Sequence, residues 1–255
     1  MGRIVCFANQ KGGVGKTTTC VNLCAAILEK KRTALLVDAD PQGNATTGMG
    51  VNKRNVNTLY DVLMRSVPMQ QAILETKYGD VVPANLNLSG ATVELVGRPN
   101  RETVLKKAID PIRDKYEYIF IDCPPSLGLL TLNALAAADS VLIPMQCEFY
   151  AMEGLADLMT SMKLTKNRFN PALQIEGIVL TMYDRRLSFA GQVAQEVQRY
   201  FGKALYKTVV PRNVRIAEAP SHGKPVSAYS RLSRGAEAYD LLAIEFFKHN
   251  HPIDI

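Results

Sequence analysis

Residues 9–18 read Asn-Gln-Lys-Gly-Gly-Val-Gly-Lys-Thr-Thr, directly after the apolar run Ile4-Val5-Cys6-Phe7-Ala8. The apolar run predicts a buried strand, and the spacing of Val21, Leu23, Cys24, Ile27 and Leu28 predicts a helix over 17–30. The glycines therefore sit in a strand-to-helix turn of the phosphate-binding kind. Gly12, Gly13 and Gly15 can take backbone angles closed to other residues, so successive N–H groups from Gly12 through Thr18, Val14 included, can point at phosphate oxygens. Lys16 then reaches the β- and γ-phosphates, Thr17 offers its hydroxyl to Mg²⁺, and the helix N-terminus adds positive potential.

The loop departs from the usual GxxxxGK pattern at one position, where Gln10 replaces the first glycine, and it adds a second lysine, Lys11. One lysine is enough to hold phosphates. Lys11 is either a solvated residue at the loop tip or a charge donor for the transition state, acting on its own site or on a neighbouring subunit.

Beyond the loop the chain alternates strand and helix patterns, which predicts an α/β fold of the P-loop NTPase kind: a mostly parallel, twisted sheet with helices on both faces. Strands are expected at 4–8, 33–37, 118–121, 140–144, 175–180 and 205–210. Helices are expected at about 58–66, 69–76, 90–97, 101–115, 127–137, 152–166, 188–201, 213–218 and 234–248. Residues 41–57, rich in Asn, Gly and Thr, read as a mobile loop. No linker or repeat divides residues 1–255, so one domain is expected, with 249–255 as a flexible tail. No helix-turn-helix module precedes residue 4, so any DNA binding would fall to this domain.

The composition of the 255 residues, 47% hydrophobic, supports a large core. No run of about 18 apolar residues occurs, which excludes a membrane span of helical type, and the start lacks a secretory leader. Cys6, Cys20, Cys24, Cys123 and Cys147 show no C-x-x-C spacing and read as small buried hydrophobes in a reducing, cytoplasmic setting. The net charge of +6 is uneven: residues 181–235 hold ten Lys or Arg against three acids. A nucleotide-dependent chain with one basic half points to an anionic polymer or surface as partner.

Ligands of parallel α/β sheets bind at the carboxyl ends of the strands. Asp122 ends the run Ile119-Phe120-Ile121 and suits the acid that holds Mg²⁺ opposite Thr17. Asp38 and Asp40 end the second strand two residues apart, and Asp40, preceding Pro41, is placed to orient an attacking water. Phosphoryl transfer needs positioning and charge neutralisation more than covalent chemistry, so Lys11, Lys16, Mg²⁺ and Asp40 suffice for a slow NTPase.

These residues, with KGGVGKTT at 11–18, VDADPQGNATTG at 37–48, IDCPPSLGLLTLNAL at 121–135, PMQCEFYAMEGL at 144–155 and VPRNVRIAEAPSHGKP at 210–225, carry a resemblance that runs nearly end to end. The chain resembles the ParA/MinD class of deviant Walker ATPases, and within it the Soj-like partition ATPases. The resemblance implies ATP and ADP with Mg²⁺ as cofactors, with Lys16, Thr17 and Asp122 at the phosphates and metal and Asp40 needed for hydrolysis. Lys11 would cross to the partner's phosphates in an ATP-bound homodimer, and Gly12 would leave room for it. Adenine would lie against Met182 and the segment Pro211, Arg212 and Asn213. Arg186 and Arg215 would bind DNA backbone without sequence preference, with Arg185 a competing candidate for Arg186. The implied role is chromosome or plasmid partition in the cytoplasm, on the nucleoid in the ATP state, with a ParB-like centromere-binding partner. The rival within the class is a MinD-like membrane-positioning ATPase. It requires a basic amphipathic C-terminal helix, whereas Glu237, Asp240 and Glu245 make the last helix acidic. Tyr239, Leu242, Ile244, Phe246 and Phe247 are expected to pack in the core.

Overall fold

Short apolar runs form six strands: β1 (Arg3–Phe7), β2 (Ala34–Asp38), β3 (Asp80–Val82), β4 (Tyr118–Asp122), β5 (Ser140–Gln146) and β6 (Gln174–Thr181). They were traced in a computed structural model that describes residues 1–148 and 151–250. The strands make one sheet in the order β3-β2-β4-β1-β5-β6, with every pairing parallel. Alternation along the strands sorts the core into two layers. Val5, Phe7, Leu36, Phe120 and Leu142 face the helices Lys16–Glu29 and Arg234–Asn250. Ile4, Cys6, Leu35, Val37, Ile119 and Ile121 face the opposite layer, built largely from the helices between residues 59 and 201. The doubly covered parallel sheet is the expected fold.

The chain moves from β1 to β2 on one side and from β4 to β5 on the other, so the switch point lies between the neighbours β4 and β1. There the register sets Phe7, Asp122 and Asp38 side by side at the strand ends. Both aspartates continue the face of Phe120 and Leu36, the side on which the helix Lys16–Glu29 packs.

The final helix is held by an aromatic cluster. Phe246 stands edge-on to Tyr118 and Phe120 at 5.2 and 5.8 Å, and Phe7 meets Phe120 at 5.2 Å. Each such pair contributes about 0.5–1.5 kcal/mol beyond area burial. Tyr239 and Leu242 join Phe246 in the core as expected, and Phe247 packs against it partly buried. Ile244 does not, being 38% exposed.

Several local expectations are corrected. Residues 205–210 form no strand: Leu205 makes only an isolated bridge with Ile178, and the N–H groups of Lys207 and Thr208 donate to the Glu245 carboxylate at 2.7 and 2.9 Å. Tyr206 N and Val210 N still donate to the Ile178 and Leu180 carbonyls of β6 at 2.9 and 2.8 Å, but the Thr208 N–H between them is taken by a side chain, which breaks the ladder. Strand β3 was missed because only Asp80-Val81-Val82 carries it, too short for a periodic signal. The stretch 41–57 contains the helix Asn44–Gly48, with Ala45 and Thr46 fully buried. The helix expected at 101–115 divides into a 3₁₀ turn at Arg101–Thr103, a helix at Val104–Ile109 and a second 3₁₀ run at Asp110–Lys115, where Pro111 interrupts the donor series. The helix expected at 69–76 spans only Met69–Ala72, and an unexpected short helix occurs at Val226–Tyr229. Of the expected tail, His249 and Asn250 belong to the last helix, and 251–255 lie outside the described residues.

Candidate functional site

Gly13 and Gly15 adopt φ of +74° and +86°, the left-handed region that a side chain resists, so the loop curls before the helix begins at Lys16. Gly12 differs. Its φ is not positive, and a Cβ there would meet only Pro125, at 3.8 Å. Nothing among the described residues requires glycine at that position.

Three alternate residues at the end of β5 run along the loop. The Pro144 carbonyl accepts from Asn9 Nδ2 at 2.9 Å, Gln146 Nε2 donates to the Gly13 carbonyl at 3.4 Å, and Glu148 pairs with the Lys11 ammonium. From β6, Thr181 Oγ1 donates to the Val14 carbonyl at 2.7 Å. The loop is thereby moored to the two strands on its far side. Asn9, Gln146 and Glu148 lie inside the quoted stretches 9–18 and 144–155 and Thr181 in none, but nothing in the sequence singles any of them out for this role.

The two lysines occupy different environments. Lys16 is 6% exposed and donates through Nζ to the Lys11 carbonyl at 2.9 Å. Burial lowers its pKa, opposed by the nearby Asp122 and Asp40 charges. The Lys11 side chain sits half-buried at the rim beside Glu148.

The carboxylates form a group across β2 and β4. Asp122 is fully buried, and neither of its oxygens has a hydrogen-bond partner among the described residues. Its pKa is raised well above the carboxylate range by burial first and by Asp38 second, with the Thr17 hydroxyl near enough to offset part of that. A buried carboxylate without donors, facing a threonine hydroxyl and a lysine, fits a hydrated cation bridging to phosphate. Among the described residues no three His, Cys, Asp or Glu side chains converge as a closed metal cage. Asp38 is also fully buried but well supplied with donors: Asp40 N at 3.2 Å, Thr46 N at 2.8 Å and Thr46 Oγ1 at 2.6 Å. Burial raises its pKa to about 6 against those bonds. Asp40, 7% exposed, accepts from Gln42 N at 3.0 Å.

The segments expected around a base are brought together. Met182 has φ of +48°, its sulfur accepts from Gln146 Nε2 at 2.7 Å, and Tyr183 bridges to Pro211. Arg212 and Asn213 follow, the latter capping the helix Val214–Glu218 by accepting from Arg215 N. The same bridge sets the segment with Arg186 beside the one with Arg215. Both arginines are exposed, and each is paired locally. Arg186 forms a two-pronged contact with Asp184 at 2.9 and 2.6 Å, which holds that carboxyl down at about 2. Arg215 donates to Glu218 at 2.8 Å, and Tyr229 donates to the same oxygen at 3.1 Å.

A family model described as an AAA domain matches residues 2–175. The chromosome partitioning protein ParA of Myxococcus xanthus is 52% identical over 255 residues, 99% of this chain and 90% of the relative. The sporulation initiation inhibitor protein Soj of Bacillus subtilis is 52% identical over 248 residues, 96% of this chain and 98% of the relative. Among solved structures, cobyrinic acid a,c-diamide synthase from Mycobacterium smegmatis, with bound ATP analogue and magnesium, superposes with a TM-score of 0.87 at 35% identity, covering 98% of this chain and 95% of that one. The septum site-determining protein MinD of Pyrococcus horikoshii, complexed with Mg-ADP, gives 0.79 at 28% identity, with 100% of both chains covered.

Proposed function

This chain belongs to the ParA/Soj family of chromosome-partitioning ATPases, and from that premise we propose that it is an ATP-timed dimeric switch acting on DNA. The loop 11–18 cradles the phosphates, Lys16 neutralises them from within, and Thr17 and Asp122 hold Mg²⁺. The metal, when bound, supplies charge neutralisation at the phosphates. Asp40 orients the attacking water. Met182 and Pro211 to Asn213 line the base, and Arg186 and Arg215 contact the DNA backbone. A ParB-like protein stimulates the slow hydrolysis, and the ATP state resides on the nucleoid.

The observation that carries the dimeric reading is the contrast at Lys11 and Gly12. Lys16 already serves the loop from a buried position. Lys11 stands at the rim, next to a glycine that neither a backbone angle nor an internal contact demands. That pairing fits a lysine which reaches a second site through space the glycine leaves open. No helix among the described residues is long and apolar enough to cross a membrane. Nor is the last helix free to lie on one, because Tyr239, Leu242 and Phe246 are committed to the sheet.

The test is Asp40→Ala. Without the group that orients water, ATP should persist and the protein should scatter light as a stable dimer in ATP. A monomer in saturating ATP would count against the reading.

A further inference from the structure

We propose that Thr46 is a positioning residue for hydrolysis: clasped to Asp38, it fixes the segment that carries Asp40. The inference rests on the reading that Asp40 orients the attacking water.

Residues 38–46 leave the sheet at the end of β2 and return to the same carboxylate. Asp38 Oδ1 accepts from Asp40 N at 3.2 Å, and Oδ2 accepts from both Thr46 N at 2.8 Å and Thr46 Oγ1 at 2.6 Å. One buried carboxylate thus closes the segment at both ends. Within it, Gly43 N donates to the Asp40 carbonyl at 2.8 Å and Gln42 N to the Asp40 side chain at 3.0 Å. The Thr46 hydroxyl has a further partner, accepting from Ala84 N at 2.9 Å just beyond β3. Its donor and one acceptor site are both used, and the residue is fully buried.

That geometry assigns a role through another residue. Thr46 is too deep to touch a nucleotide, but it ties the Asp40 segment to the sheet edge. Removing the hydroxyl leaves the Ala84 N–H buried without an acceptor and takes one donor from Asp38, a change a buried network tolerates poorly. The segment must then shift, and catalytic geometry is lost over about 1 Å of misplacement. Phosphate binding, which uses the loop 11–18, is left in place.

The experiment compares steady-state hydrolysis, equilibrium ATP affinity with Mg²⁺ and thermal midpoint in the full chain. Thr46→Val should lower kcat by about tenfold or more while ATP affinity stays within about twofold, and Thr46→Ser, which keeps the hydroxyl, should recover most of the rate. If the valine variant does not fold, Thr46→Ala supplies the same comparison. An unchanged kcat in the hydroxyl-less variant overturns the inference. So does a parallel loss of affinity and rate, which would mark a purely structural role, or a serine variant as slow as the valine one. Asp40→Ala, run alongside, separates the two readings: if it hydrolyses ATP normally, the role of Asp40 itself fails.

Discussion

Lys16 and Lys11 lie five residues apart and meet opposite environments, one desolvated inside the loop and one at its rim beside Glu148. Replacing Lys16 with alanine removes the buried charge, and we expect ATP binding to be lost in equilibrium titration; retained micromolar affinity would reject the phosphate site. Asp38 offers a second test at this scale. Its folded pKa of about 6 lies above the ordinary carboxylate value of about 3.9. The folded state therefore takes up a proton that the unfolded state does not between roughly pH 4 and 6. Stability from this group is lost as pH rises through 6 and is regained below it. Asn mimics the protonated form, so any gain in thermal midpoint of Asp38→Asn over the parent in the nucleotide-free protein should be larger at pH 7 than at pH 5. A constant difference would contradict the burial argument. Motif residues such as Lys16, Thr17 and Asp122 were legible because short-range spacing encodes the loop and the strand end. The bonds from Gln146 to Gly13 and from Thr181 to Val14 span 133 and 167 positions, a separation at which one sequence carries no pairing signal.

Among the elements, the buried parallel strands were readable as continuous apolar runs and the longer helices from their 3.6-residue spacing, and two of the misreadings fall where side chains override these signals. Residues 205–210 look like a strand, and Tyr206 N and Val210 N do donate to β6, yet Thr208 N between them turns to Glu245 and the ladder is broken. Tyr206 drops its ring over Gly177 in β6, where a Cβ would come within 2.1 Å of Cε2. Gly177→Ala should therefore overpack a buried contact by about 1–3 kcal/mol and lower the thermal midpoint by several degrees. An unchanged melting curve would show that the ring can move aside freely. The helix Asn44–Gly48 escaped notice because its Asn, Gly and Thr content favours turns. It forms because Asp38 caps its backbone from the end of β2, a contact made by the sheet and not by local propensity.

Across the molecule, the basic stretch acquires a location. The Tyr183–Pro211 bridge joins the segments of Arg186 and Arg215 next to Met182, so on the proposed reading one region would sense the base and meet the polymer. Asp184 and Glu218 pair with these arginines, and such exposed pairs contribute little and weaken in salt, which leaves the guanidinium groups available to phosphate. Replacing Arg215 with alanine should weaken DNA binding alike for all sequences and flatten the salt dependence by about 0.9 for each phosphate no longer neutralised. Equal binding by the variant would remove Arg215 from the interface.

The most direct test of an ATP-timed switch on DNA is co-sedimentation of the full chain with arbitrary duplex DNA and with anionic liposomes, each in ATP and in ADP. The predicted result is salt-sensitive binding to DNA in ATP, little in ADP, and none to liposomes in either nucleotide. Binding to liposomes in ATP, or DNA binding indifferent to the nucleotide, would contradict it.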